Sequence, residues 1–226
     1  MIYSNTMNML FMTLSSVIMI VEGARNSRVV RTRQGPVQGI MLVPDNNILG
    51  DRAVEAFLGV PYAVPPVGSL RFMPPVSPRS WEQSEVRRVS KFGPVCPQVI
   101  PDLSNQQEAL RFMTAGRRNY LMKLFHYLHD QSEDCLYLNI YAPEMQNSVS
   151  TSRMPVIVFI HGESYEWNSG NPYDGSVLAS YGQVIVITLN YRLGLLGFLK
   201  TQANNQMGNY GLLDILAALH WIQVRN

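Results

Sequence analysis

The sequence predicts an α/β fold whose second half holds its most parallel-sheet-like part. Val156–Ile160 and Val184–Leu189 are continuous apolar, β-branched runs, the pattern of strands buried on both faces. A glycine-rich stretch and a short helix candidate, Val177–Tyr181, separate them. Leu212–Val224 follows, apolar almost all round, and reads as a buried helix. Strand, helix, strand, helix in that order implies right-handed crossovers in one sheet.

The remaining elements follow from local chemistry. Met9–Val21 is apolar and uncharged, the length of a signal-peptide core and short of a membrane span. Residues 1–23 are therefore expected to be a signal peptide, with one domain over 24–226. Removing that segment takes away only Glu22 and moves the formal charge from +2 to +3. Val29–Thr32 and Val37–Met41 flank Gln34-Gly35-Pro36 and read as a hairpin. Ala53–Val60 is a further strand. The proline-dense run Pro61–Gly68 after it forbids helix and favours an extended path. Leu110–Leu128 carries apolar residues at mixed three- and four-residue steps, a helix pattern that Gly116 interrupts. Leu136–Tyr141 is a strand directly after Cys135.

Composition narrows the function. The chain is 46% hydrophobic and 15% charged, with scattered Lys and Arg, which gives no footprint for nucleic acid. Its two cysteines, Cys96 and Cys135, fit either one disulfide or two buried thiols. His126 and His129, with Asp130 and Glu133 nearby, are best read as solvated loop side chains, so no metal ligand set is nominated. No pattern calls for a cofactor, and no N-x-[ST] sequon occurs. Trp81, Trp167 and Trp221 read as core or loop anchors.

Longer motifs carry a resemblance. Phe57-Leu58-Gly59-Val60-Pro61-Tyr62-Ala63, Pro65–Gly68, Arg71-Phe72, Ser132-Glu133-Asp134-Cys135-Leu136-Tyr137-Leu138-Asn139, Asn190-Tyr191-Arg192 through Gly197-Phe198, and Gly208–Asp214 occur in that order. Together they resemble the carboxylesterase type B and cholinesterase family. Gly162–Gly182 and the segment from Cys96 to Leu128 are similar to the neuroligins within it, those of insects in particular. The resemblance implies an α/β-hydrolase, cholinesterase-like fold. It also implies a cell-surface adhesion protein without esterase activity, with a neurexin-like partner, calcium at that contact, and a homodimer in full-length members. It places the membrane anchor, the dimerising helices and most of the partner-contacting surface in the family's later half, beyond these residues. A disulfide between Cys96 and Cys135 and an ion pair between Arg71 and Glu133, pinning the disulfide loop to the sheet, are implied likewise.

The family's chemistry can be weighed on this chain. Met154–Ile160 runs into His161-Gly162-Glu163-Ser164-Tyr165, where α/β-hydrolases supply an oxyanion-hole N–H from a glycine-rich loop. Gly162, Glu163 and Ser164 form a degenerate version. Glu163 puts a carboxylate beside the site where negative charge would develop, unless that carboxylate is neutralised or turned to solvent. Ser164 follows the wrong strand to be the nucleophile, and its fifth motif position is Glu166, not glycine. No G-x-S-x-G serine is present, so the expectation is a fold truncated before the nucleophile strand, with Val156–Ile160 bordering the sheet and Leu212–Val224 short of part of its cover. On this reading no residue is catalytic and no small-molecule substrate is expected. The rival reading is an incomplete carboxylesterase type B that hydrolyses carboxylic esters.

Overall fold

The computed structural model describes residues 25–42, 53–145, 153–200 and 208–223. The expected signal segment lies outside them, as does Val224. Strands β1 (Asn26–Arg31) and β2 (Pro36–Leu42) form the hairpin, closed by Thr32 and Gly35, each N–H donating to the other's carbonyl. Then come β3 (Val54–Pro61), a two-residue β4 (Arg87–Arg88), β5 (Tyr137–Pro143), β6 (Val156–Ile160) and β7 (Ile185–Leu189). They make one sheet in the order β1-β2-β3-β5-β7-β6, with β4 beside β2. The sheet is mixed: the path from β1 to β7 is antiparallel, while β6 runs parallel to β7.

β3 breaks its ladder at Gly59, between the registers of Phe57 and Val60. Gly59 sits at φ +70°, and a Cβ there would lie 2.6 Å from the Lys91 carbonyl, so a side chain is excluded twice over. The break turns successive side chains to the faces that need them. Val54, Ala56 and Leu58 pack with Val186 and with Ala179 of α3 (Ser176–Gly182). Phe57 and Val60 join Leu138, Ile187 and Leu189 on the other face, against Ala218 of α5 (Tyr210–Gln223). A third cluster, around Leu121, Leu124, Leu128 and Trp167, fills the disulfide loop.

One expectation needs correction. The helix expected over 110–128 is confined to α2 (Ala115–Phe125) and a short 3-10 turn after it, with a separate four-residue α1 (Gln106–Ala109) ahead of it. Thr114 caps α2 by accepting from the Arg117 N–H, so Gly116 falls in the first turn, where it interrupts nothing. β6 borders the sheet as expected: Val156, Ile157, Phe159 and Ile160 are 36–46% exposed, although their apolar run alone reads as a strand buried on both faces. α5 likewise lacks part of its cover. Leu212, Leu216 and Leu219 form an exposed stripe, while Asp214 and Ala218 face inward. Apolar content measures what a segment tolerates and not what covers it.

Candidate functional site

The loop leaving β6 is the structural centre of the chain's motifs. His161 is 2% exposed and stacks on Tyr191 at 4.4 Å between ring centroids. The Tyr191 hydroxyl donates to the His161 carbonyl at 2.9 Å, clamping the end of the strand. Burial pushes the imidazole down to about 4, and Nε2 has no partner among the described residues. A histidine held neutral in this way is a packing group.

After Gly162 the backbone enters the left-handed region for three residues with side chains: Glu163 at φ +74°, Ser164 at +57° and Tyr165 at +62°. The Glu166 N–H closes the turn on the Glu163 carbonyl at 3.1 Å. Each such residue costs about 1–2 kcal/mol relative to glycine, so neighbours must hold the loop. They do so from two sides. Arg117, in the first turn of α2, pairs through Nη2 with the Glu163 carboxylate. The Tyr165 carbonyl accepts from the Gly194 N–H at 2.8 Å, and its ring leans on Phe198 in α4 (Gly194–Phe198) at 5.0 Å. Glu163 is therefore neither free toward solvent nor an unmatched anion.

This geometry bears on the chemistry. Ser164 Oγ bonds to no histidine among the described residues, and the nearest imidazole in sequence, His161, spends Nδ1 on the Gly162 carbonyl at 3.3 Å. A nucleophile needs a base in hydrogen-bond reach and the base an orienting partner. The loop offers Ser164 neither.

Behind the loop lies a polar core that sequence reading passed over. Asn139 accepts from the Gly59 N–H at 3.0 Å and donates to Asn171 and Thr188. Asn190 accepts from the Gly170 N–H at 2.8 Å and donates to the Pro94 carbonyl at 3.2 Å. Arg192 pairs with Asp214 through Nε at 2.8 Å and Nη2 at 2.7 Å, and its backbone N–H adds a third bond at 3.1 Å. Desolvation holds the Asp214 carboxyl above its ordinary value against the pull of that arginine. Gly197 and Gly211 both press on the Arg192 carbonyl, where a Cβ would come within 2.2 and 2.4 Å. These contacts explain in physical terms why Asn139, the Asn190–Arg192 triplet and Gly208–Asp214 stand out. The available signal was uncharged amide residues inside otherwise apolar runs.

The other candidates are scattered around this centre. Cys96 and Cys135 are bonded, with Cα atoms 5.0 Å apart and both side chains buried. Gln98 ties that bridge to the loop region, donating to the Cys96 and Asn168 carbonyls and accepting from the Asn168 N–H. Arg71 and Glu133 form a bidentate pair at 2.6 and 2.5 Å, lying near the surface. His126 and His129 are exposed, and no group of three metal-ligating side chains occurs among the described residues. Trp167 meets Phe125 edge-on at 5.6 Å, while Trp81 and Trp221 donate to Pro36 and Gln34. A cavity of about 670 Å³ opens between the sheet and α5, lined by Val30, Phe57, Ile187 and Trp221; no residue of the 161–165 loop borders it.

Comparison with known proteins agrees with this architecture. A model of the carboxylesterase family matches residues 26–225, from the first strand to beyond α5. Neuroligin-2 of Mus musculus is 43% identical over 217 residues, covering 88% of this chain and 25% of that protein. Neuroligin-3 of Mus musculus is 43% identical over 213 residues, covering 85% and 25%. Neuroligin-1 of Caenorhabditis elegans is 40% identical over 201 residues, covering 87% and 24%. The chain spans about a quarter of the length of the curated relatives it matches. With a family match over almost every described element, and neuroligins as its relatives, the chain belongs to the carboxylesterase family.

Proposed function

We propose that this chain belongs to a non-catalytic, neuroligin-like cell-adhesion protein, reaching the cell surface through the secretory pathway after loss of residues 1–23. The observation that carries the reading is the loop after β6. Where an oxyanion hole needs close-approaching N–H groups, Glu163 and Ser164 bring side chains, and Arg117 locks the carboxylate in place. The identity to neuroligins supports it. Among the described residues no helix is long and apolar enough to cross a membrane, so anchoring at the surface rests on the resemblance. The partner on this reading is a neurexin-like surface protein, contacted mainly by parts of the full-length protein outside these residues.

Two measurements test the reading. Purified chain is expected to turn over p-nitrophenyl acetate no faster than a heat-denatured control. Turnover abolished by Ser164→Ala overturns it. Sequencing the transcript downstream of Asn226 is the second. A substituted serine and a membrane span are expected, and a G-x-S-x-G followed by an acid and a histidine would favour the esterase.

A further inference from the structure

One nitrogen of Arg192 is left over. Nε and Nη2 are spent on the Asp214 carboxylate, while Nη1 is buried and meets no partner among the described residues. A guanidinium cannot shed its charge, so a donor left unmade inside the protein carries its full desolvation penalty. Arg192 also lines a small cavity, together with Pro66, Cys135, Leu196 of α4 and both partners of the Arg71–Glu133 pair. Arg192 is 3% exposed and Cys135 0%, so that end of the cavity belongs to the interior. It leaves about 10 Å³ for the centre of a water molecule, about the least that one water needs and too little for two.

We propose that one buried water molecule occupies this cavity, accepting from Arg192 Nη1 and donating to the Glu133 carboxylate. The lining side chains fix that orientation: Arg71 and Arg192 only donate, and Glu133 is the one strong acceptor among them. Each Glu133 oxygen accepts one bond from Arg71, which leaves about two lone-pair sites of the carboxylate open. The charges select the ligand. Asp214 answers Arg192 and Glu133 answers Arg71, so the site is neutral and holds no surplus charge for an anion. A halide is also larger than water. The bound water turns two separate ion pairs into one network. It joins the end of the disulfide loop, where Glu133 lies close to Cys135, to the segment between β7 and α5 that Arg192 and Asp214 hold.

A crystal structure of the purified chain tests the site directly. Expected is a single oxygen peak about 2.7–3.2 Å from both Arg192 Nη1 and a Glu133 carboxylate oxygen. A cavity without a peak, a protein atom bonded to Nη1, or a chloride shown by its anomalous signal each overturns the proposal. Stability gives an independent readout. In an Arg71→Ala background the ion pair contributes nothing, and Glu133→Gln and Glu133→Met can be compared as side chains of similar size. Glutamine keeps a strong acceptor for the water, and methionine has only a weak one. The folding equilibrium constant from urea denaturation should be roughly tenfold higher for Glu133→Gln. Without the water, Glu133→Met would be the equal or the better of the two, being the more apolar at a half-buried position. That ordering overturns the proposal.

Discussion

Arg192 and Asp214 meet through three hydrogen bonds in a space where their side chains are 4% and 0% exposed. The pair joins the end of the β7 segment to the inward face of α5. Asp214→Ala would leave the guanidinium buried and unmatched, which costs about 3–5 kcal/mol. Urea denaturation of the variant is expected to show that loss, with the cooperative transition moved to much lower denaturant.

Ser164 lies at φ +57° and engages no hydrogen-bond partner among the described residues. Ser164→Gly removes the left-handed penalty and sacrifices no contact, although glycine frees the unfolded chain. The net expectation is stabilisation by about 0.5–1 kcal/mol. Tyr165→Gly, in the same conformation, should be destabilising because its ring packs on Phe198 and Tyr191. Thermal melts of the two variants should move in opposite directions.

Burial depresses the His161 imidazole from an ordinary 6.5 to about 4. Below about pH 6.5 the unfolded chain takes up a proton that the folded chain refuses. Stability present above that pH is therefore lost as the pH falls through about 4, by up to ~3 kcal/mol. His161→Phe keeps a ring to stack on Tyr191 and has nothing to titrate. Urea midpoints measured from neutral to mildly acid pH should fall less steeply in this variant than in the parent.

The Cys96–Cys135 bond closes a loop with a sequence separation of 39. Peptide mapping without reductant should recover one linked pair. Replacing both cysteines by alanine should lower stability by about 4 kcal/mol on the chain-entropy account.

What the sequence disclosed depended on the range of the interaction. The Gln34-Gly35-Pro36 turn, the β-branched runs of β6 and β7, and the short helix after the glycine-rich stretch are local decisions, legible in windows of ten residues. The covering of β6 and α5 is not local. Val156 and Leu216 have the composition of core residues, and their openness follows from the placement of neighbouring elements, not from their own residue type. The same holds for the loop after β6. Its departure from glycine was plain in Glu163 and Ser164, but the neutralisation of the Glu163 carboxylate comes from Arg117, 46 positions earlier and on a helix whose start depends on Thr114. The parallel character expected of this part of the sheet holds for β6 with β7, while β5 pairs antiparallel with both β3 and β7.

That loop also governs how quickly the sheet can assemble. Pro61 of β3 and Tyr137 of β5 are register partners, yet all of the disulfide loop lies between them along the chain. Once Cys96 and Cys135 are joined, the path that must close is cut to about half, which lowers the entropic barrier by about 0.6 kcal/mol, or roughly threefold in rate. Oxidised chains bring β3 and β5 together sooner. Chains kept reduced spend longer with both strands unpaired, in competition with intermolecular pairing. The compartment in which the polypeptide is made thus selects between folding and aggregation before any native stability is at stake.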